Sequence, residues 1–180
     1  MTRFTIVETR IAGVRIVERL RLADARGSFA RLFCRDEFAA FGGPTVLSQI
    51  NHSVTRAAGT VRGMHLQRAP WSETKLVSCL RGEIFDVAVD LRPDSPTRFQ
   101  WVGVELAEDG DRSLLIPQGC AHGFQTLTDD CGLVYLHDQP HTPAAETGVN
   151  PLDPRLAIAW PRPVAALSDR DRALPFLTAP

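Results

Sequence analysis

The clearest pattern of apolar and polar positions in the chain is a strict alternation over residues 83–91. The uniformly apolar face of this segment comprises Phe85, Val87, Val89 and Leu91. The opposite face comprises Asp86, Ala88 and Asp90. Because the side chains of a β-strand point alternately to its two faces, the segment is predicted to be a strand whose faces meet different environments.

Shorter runs of the same kind predict strands along most of the chain. They lie at residues 12–19, 28–33, 46–52, 60–67, 75–80, 99–106, 113–116, 122–127 and 132–137. Turn residues separate them at 25–27, 93–96, 108–111 and 129–130. Arg81-Gly82 is predicted to be the turn of a hairpin that joins the strand before it to the strand after it.

Two short helices are expected beside these strands. One is predicted to begin at Asp36 as its cap and to end at Gly42-Gly43, and the other to begin at Ser168 and run through Asp171. Many short strands at regular spacing are typical of an all-β jelly roll. Since no repeat or low-complexity tract divides the chain, residues 1–180 are expected to form one domain.

Composition narrows the class of protein. Basic and acidic residues number 20 and 21, and no basic run occurs, so no nucleic-acid partner is expected. The first twenty residues carry charges throughout, which predicts no signal peptide or membrane span there. The cysteines show no Cys-x-x-Cys spacing and are interpreted as reduced packing residues of a cytoplasmic protein: Cys34, Cys79, Cys120 and Cys131.

Candidate chemistry gathers around two residue types that occur once each. Lys75 is the only lysine and Tyr135 the only tyrosine, whereas every other strong base is arginine. Both lie near two histidine-bearing segments, residues 61–67 and 117–124. An ammonium and a phenol can change protonation and take part in proton transfer, which a guanidinium does not do.

The two histidine segments resemble the two halves of the cupin signature. Pro117-x-Gly119-x-x-His122 has the form of the second half, and Gly59-x5-His65 that of the opening of the first. Metal-binding cupins have a second histidine two residues after the first and then a glutamate, but here Gln67 follows and the next acid is Glu73. A divalent ion needs three or four well-placed ligands. The sequence therefore predicts a cupin-like barrel, a double-stranded β-helix, without a metal.

The interior of such a barrel would hold His65, His122, Lys75, Tyr135 and Asp86. An imidazole is a suitable base near neutral pH, a phenol can deliver a proton, and an ammonium can stabilise a developing oxyanion. Together these groups predict proton abstraction next to a carbonyl. If base and acid face opposite sides of the substrate, the carbon is inverted.

Longer blocks resemble the dTDP-4-dehydrorhamnose 3,5-epimerase family, from about residue 12 to 175. They are Gln49 to Ser53, Arg62 to His65, Lys75 to Val77, Arg81 to Asp90, Gln100 to Val104, Ile116 to Phe124, the Tyr135 strand and Ile158 to Pro161. The resemblance implies a homodimeric jelly roll without metal or cofactor that epimerises a nucleoside-diphosphate 4-keto-6-deoxyhexose. It also implies that the N-terminal strands, about residues 1–33, are candidates for exchange with the partner subunit.

The same resemblance implies a role for individual residues. His65 would be the base, oriented by Asp171 in Leu167-Ser168-x-x-Asp171, and Tyr135 the acid on the opposite face. Lys75 and His122 would border the C4 carbonyl, with Asp86 as the partner of His122. Positions matching substrate-binding residues are Arg26 (from the neighbouring subunit), Phe29, Gln49, Asn51, Arg62, Lys75, His122, His141, Glu146 and Arg170.

One geometric requirement follows from the spacing of Arg62 and His65. They are three residues apart, so a flat strand would point them to opposite faces. We therefore expect a β-bulge at Gly63-Met64 that brings both side chains to one face.

Departures from the family pattern leave alternatives open. Arg31 stands where the family has a glutamate near the nucleoside, and Pro140 and His141 stand where it has an aromatic pair. A nucleotide other than dTDP, such as a CDP-sugar, or a monofunctional 3- or 5-epimerase thus remains an alternative. So do a metal-dependent cupin enzyme and a catalytically silent sugar-nucleotide binder.

Several other polar and aromatic residues are interpreted as structural. His52 and His137 are expected to be strand histidines satisfied by a hydrogen bond. Trp101, Trp160 and Phe85 are expected to belong to the core.

Overall fold

The fold, seen in a computed structural model that describes residues 2–177, is built almost entirely from β-strands. The strands of this part of the chain are β1 (Phe4–Glu8), β2 (Arg15–Arg19), β3 (Arg21–Asp24), β4 (Gly27–Ala30), β5 (Gln49–Thr55), β6 (Val61–Gln67), β7 (Lys75–Arg81), β8 (Glu83–Asp90), β9 (Trp101–Ala107), β10 (Arg112–Ile116), β11 (Cys120–Thr126), β12 (Cys131–His137) and β13 (Glu146–Gly148). The helices are α1 (Arg35–Ala39), α2 (Asp169–Arg172) and a 3-10 turn at Pro143–Ala145. The predicted all-β class with short flanking helices is confirmed.

The strands form two antiparallel sheets that face each other. The six-stranded sheet has the order β1-β2-β10-β7-β12-β5, and the five-stranded sheet has the order β13-β6-β11-β8-β9. From β5 to β8 and again from β9 to β13, each strand lies in the other sheet from the one before it. This alternation between sheets is the jelly-roll architecture that the sequence predicted. The hairpin of β3 and β4 forms a third, separate sheet.

The alternation in β8 places its two faces in different packing environments, as predicted. Ile84 and Ala88 join the main core between the two sheets. Val87 and Val89 pack on the outer side of the five-stranded sheet against the C-terminal segment, with Leu156. Trp101, Trp160 and Phe85 belong to this second cluster, so their structural interpretation is confirmed.

The predicted hairpin at Arg81-Gly82 is wrong. β7 pairs with β10 and β12, whereas β8 pairs with β9 and β11, so the chain crosses from one sheet to the other at this point. Gly82 makes the crossing with a φ of 72°, and a Cβ there would lie 2.6 Å from Thr128 Oγ1. A sharp turn between unpaired strands has the same local sequence signal as a hairpin, which is why the pattern misled.

The first helix differs from its prediction, and the second matches it. α1 begins at Arg35 with Cys34 as its N-cap, not Asp36, and it ends before Gly42-Gly43. Its position is determined by Phe38, which is fully buried among other aromatic rings, rather than by a capping side chain. In α2, Ser168 is the N-cap, and its Oγ accepts a hydrogen bond of 3.0 Å from the Asp171 N–H.

Three short strands escaped the sequence pattern: β1, β3 and β13. β13 matters for the site because its three residues pair with β6, with Gly148 opposite His65. The predicted packing role of cysteine holds for Cys79, Cys120 and Cys131, which are core residues. Burial raises the pKa of the Cys79 and Cys120 thiols to about 12. Within residues 2–177, no helix has the length and apolarity that a membrane crossing requires.

Candidate active site

A cavity of about 280 Å³ lies between the two sheets at one end of the jelly roll. Its lining comprises Gln49, Asn51, Ser53, Arg62, His65, Leu66, Gln67, Glu73, Lys75, His122, Phe124, Tyr135, His137, His141 and Glu146. The five-stranded sheet contributes His65 and His122, and the six-stranded sheet contributes Lys75 and Tyr135. The two sheets therefore bring the predicted base and the predicted acid to the same cavity from opposite walls.

His65 is held by a carboxylate from the C-terminal helix. Its Nε2 lies 2.7 Å from Asp171 Oδ1, and Asp171 Oδ2 accepts the Gly63 N–H at 3.1 Å. Burial raises the pKa of Asp171, but the hydrogen bonds from His65 and Gly63 outweigh it and hold that pKa below its ordinary value. An ionised carboxylate accepts the proton on Nε2, so the lone pair of the neutral ring lies on Nδ1. That nitrogen can take a proton from substrate.

The bulge expected at Gly63-Met64 is present. His122 lies opposite His65 and Phe124 opposite Arg62, so two residues of β6 face the single residue Gly123 of β11. Arg62 and His65 consequently line the same cavity, while Met64 is buried on the outer side of the sheet.

His122 has a carboxylate partner of its own. Its Nε2 lies 2.7 Å from Asp86 Oδ1, and both side chains are almost completely buried. Asp86 Oδ2 lies in the interior with no hydrogen-bond partner among residues 2–177. A buried carboxylate of this kind favours positive charge on the imidazole that it contacts. Asp90, on the same face of β8, instead accepts hydrogen bonds from Arg92, Ser95 and Thr97 in the following turn.

Tyr135 projects into the cavity from β12. Its hydroxyl lies 3.0 Å from Ser53 Oγ, and its ring contacts that of His122 edge to face at 5.9 Å. Burial raises the pKa of the Tyr135 phenol to about 12, although the bond to Ser53 and the charge of Arg62 oppose the rise. The phenol is therefore protonated at neutral pH and can act as a proton donor.

Lys75 lies on the same wall with two residues that the sequence reasoning did not place there. Its Nζ is 2.9 Å from Glu73 Oε1, and Glu73 Oε2 is 2.8 Å from His137 Nδ1. His137 has the hydrogen bond that its structural interpretation predicted, but it also lines the cavity. Position 137 lies two residues after Tyr135 on one strand, and that period-two spacing is the signal that could have found it.

The mouth of the cavity is polar. Gln49 and Asn51 share the inward face of β5 and are joined by a hydrogen bond of 3.0 Å. The Glu146 carboxylate contacts His141 Nε2 at 3.0 Å and forms an ion pair with Arg170. Arg170 precedes Asp171 in α2, so this contact links the mouth to the helix that orients His65.

Three predicted or noted residues lie away from the cavity of this chain. Arg26 and Phe29 are exposed on the β3–β4 hairpin, where Arg26 pairs with Asp24. Arg31, which replaces a glutamate of the family pattern, forms an ion pair of 2.6 Å with Glu37. His52 points outward from β5 and is exposed.

Gln67, at the position of the second cupin histidine, has a structural role. Its Nε2 donates to the carbonyls of Trp71 and Pro140 at 3.0 and 3.2 Å, and its Oε1 accepts the Thr142 N–H at 2.5 Å. Both ends of the amide are thus occupied in tying two loops to β6. Across residues 2–177, no group of three His, Cys, Asp or Glu side chains is arranged to hold a metal ion.

Comparison with known proteins gives a consistent result. The sequence model of the family described as dTDP-4-dehydrorhamnose 3,5-epimerase matches residues 8–179. A dTDP-4-dehydrorhamnose 3-epimerase of Streptomyces niveus is 43% identical over 163 residues, which are 90% of this chain and 78% of the relative. A dTDP-4-dehydrorhamnose 3,5-epimerase of Streptomyces griseus is 42% identical over 167 residues, 92% of this chain and 82% of the relative.

A solved structure is equally similar. The dTDP-4-dehydrorhamnose 3,5-epimerase of Bacillus anthracis, crystallised with TDP and pyrophosphate bound, superimposes with a TM-score of 0.93 at 39% identity. The match covers 97% of this chain and 99% of that one. Sequence and backbone therefore agree over nearly the whole molecule.

Proposed function

Because this chain belongs to the dTDP-4-dehydrorhamnose 3,5-epimerase family, we propose that it acts on a dTDP-linked 4-keto-6-deoxyhexose, with His65 as the base and Tyr135 as the acid. The chain is an isomerase, an epimerase of a nucleotide sugar. The observation that carries the proposal is the placement of the His65–Asp171 pair and of Tyr135 on opposite walls of one cavity.

The reaction follows from these positions. His65 Nδ1 takes the proton from a ring carbon next to the C4 ketone, and the electron pair of that C–H bond moves to form an enolate. The Lys75 ammonium and the imidazole of His122 stabilise the charge on the enolate oxygen. Tyr135 then donates its phenolic proton to the opposite face of the carbon, which inverts it. Asp171 supports the imidazolium that His65 becomes.

One pocket can serve both C3 and C5, because each is a single bond from the C4 ketone and gives the same kind of enolate. Whether both are inverted depends on which C–H bond reaches His65. The relatives include a 3-epimerase and a 3,5-epimerase at nearly equal identity. Inversion at C3 is therefore the part of the proposal that both relatives support, and inversion at C5 is the part that an experiment must decide.

Arg62, Gln49 and Asn51 are proposed to hold the nucleotide end. A guanidinium forms paired, charge-assisted hydrogen bonds with phosphate oxygens, which suits Arg62 to the pyrophosphate. TDP in the related Bacillus anthracis structure supports a thymidine nucleotide. His141 is proposed to meet the base, where its imidazole offers a flat face held by Glu146.

The proposed working form is a homodimer. The β3–β4 hairpin has no strand partner among residues 2–177, and it exposes Leu22 at 45% and Phe29 at 63%. A second subunit would cover such apolar side chains and would receive Arg26 at its own cavity. Exchange of the segment up to residue 33 is a prediction of the same arrangement. A cytoplasmic location also stays a prediction.

The function is tested by product analysis in deuterated water. NMR of dTDP-4-keto-6-deoxyglucose incubated with the protein should show deuterium and inversion at C3, with or without C5. The CDP-linked sugar is the matched control for the base, and it should react more slowly. Absence of exchange at both carbons with the dTDP-sugar would overturn the proposal, and stoichiometric metal required for turnover would favour the metal-cupin alternative.

The dimer is tested by mixing two inactive variants. Arg26→Ala lacks the residue that a subunit lends, and His65→Ala lacks the base that it keeps. A mixed dimer contains one cavity with both residues intact, so mixing should restore activity. If neither variant complements the other, Arg26 is not shared between subunits.

A further inference from the structure

Three ionisable side chains form a buried cluster on the wall that the six-stranded sheet contributes to the cavity. Glu73 lies just before β7, Lys75 is the first residue of β7, and His137 is the last residue of β12. Lys75 and His137 are paired across the two strands. The side chains are only 8%, 9% and 11% exposed, so their charged groups depend on one another rather than on water.

Glu73 joins the other two members of the cluster. One carboxylate oxygen lies 2.9 Å from Lys75 Nζ, and the other lies 2.8 Å from His137 Nδ1. Each oxygen therefore serves a different donor. Burial raises the pKa of Glu73, but the hydrogen bonds from His137 and Lys75 and the charge of Lys75 lower it below its ordinary value. The cluster thus holds Glu73 as a carboxylate.

The ammonium of Lys75 has a defined position as a result. It has three N–H donors. One is directed to Glu73 Oε1 at 2.9 Å, and a second to the backbone oxygen of His65 at 3.4 Å. The third remains for the cavity that Lys75 lines. A flexible four-carbon side chain would otherwise sample several rotamers, so the two protein contacts fix where the third N–H points.

We infer that Glu73 is a positioning residue for the epimerisation: it holds the Lys75 ammonium against the C4 oxygen of the substrate, and His137 holds Glu73 in turn. The inference rests on the proposed function, since it assumes that Lys75 meets the ketone oxygen. It adds two residues, Glu73 and His137, that neither the sequence motifs nor the proposed proton transfers required.

The inference predicts a specific kinetic signature. Glu73→Ala should lower kcat by about 10²-fold, because a misplaced group near the reacting atoms costs about that much. KM should change little, since the nucleotide is bound at Arg62 and the mouth of the cavity. Glu105→Ala is the matched control: Glu105 is exposed on β9. It should leave kcat unchanged.

Glu73→Gln guards against a failure of the alanine variant to fold. The amide oxygen can accept from Lys75 and the amide N–H can donate to the His137 ring, so both contacts persist while the charge is lost. We expect a well-folded protein with a kcat between those of the wild type and Glu73→Ala. A wild-type kcat for both Glu73 variants would overturn the inference.

A double-mutant cycle tests whether Glu73 acts through Lys75. If it does, the Lys75→Ala/Glu73→Ala protein should have the same kcat as Lys75→Ala alone. Independent effects would multiply instead, and that result would also overturn the inference.

Spectroscopy supplies a readout without substrate. Because the chain has one lysine, protein made with ¹⁵Nζ-lysine gives one side-chain ammonium signal. A held, buried ammonium exchanges its protons slowly, so the signal should be sharp in the wild type and broadened in Glu73→Ala. A sharp signal in both proteins would contradict the positioning role. If the wild type turns over no sugar at all while the signal behaves as expected, the proposed function fails and the contact between Glu73 and Lys75 stands.

Discussion

Replacing Tyr135 by phenylalanine removes the proposed acid and little else. The phenylalanine keeps the ring that contacts His122 at 5.9 Å and stacks on His137 at 6.2 Å. The only hydrogen bond lost is the one of 3.0 Å to Ser53 Oγ. A neutral hydrogen bond contributes about 1 kcal/mol, so Tm should fall by about 2–4 °C for a chain of this length.

The effect of Tyr135→Phe on catalysis should be far larger than its effect on stability. Loss of a general acid lowers a rate by about 10²–10⁴-fold. His65 and Asp171 are untouched, so His65 can still remove a proton and return a deuteron to the same face. We therefore expect exchange with solvent at C3 to continue while inversion falls by that factor.

The assay follows both processes in one sample. Proton NMR of dTDP-4-keto-6-deoxyglucose in deuterated water reports loss of the C3 proton and formation of the inverted product separately. Ser53→Ala is the matched control, because it removes the same hydrogen bond and keeps the phenol, and it should retain most of the inversion rate. Inversion by Tyr135→Phe at a rate close to that of the wild type would refute the role of the acid.

Three further predictions concern the other groups of the site. His65→Ala should abolish exchange and inversion together in the same NMR assay, and any remaining exchange at C3 would identify another base. Lys75→Arg should lower kcat by about 10²–10³-fold, the loss expected for one oxyanion donor, because the longer, planar guanidinium cannot occupy the ammonium's place between Glu73 and the substrate; wild-type kinetics would contradict this. Tyr135 is the only tyrosine, so an ultraviolet titration reads its phenol alone: its pKa should be about 12, and the folding free energy should weaken as pH rises from 10 towards 12, because the unfolded chain releases the proton first. A midpoint near pH 10 in the folded protein would contradict the burial of the phenol.

Much of the fold was predictable because apolar alternation reports directly on strands. It located ten of the strands and both faces of β8, since each face is buried in a different layer. It could not decide which strands pair, because pairing is a non-local property. Gly82 therefore looked like a hairpin turn although β7 and β8 hydrogen-bond with other strands.

The site was predictable where it depends on motifs and less so where it depends on contacts. The bulge at Gly63-Met64 could be inferred because Arg62 and His65 had to share one face. Glu73 and His137 were not found as a pair, because 64 residues separate them and only the pairing of β7 with β12 brings them together. Ser53 escaped notice for the same reason: its contact with Tyr135 spans 82 residues.

The most direct test of the account is a crystal structure of the protein with a dTDP-linked 4-keto-6-deoxyhexose or its product bound. His65 Nδ1 and the Tyr135 hydroxyl should each lie within about 3.5 Å of C3, the distance of a reacting pair, and on opposite faces of the sugar ring. The C4 oxygen should contact Lys75 Nζ. A sugar ring with both side chains on one face, or one bound outside the cavity between the two sheets, would contradict the mechanism.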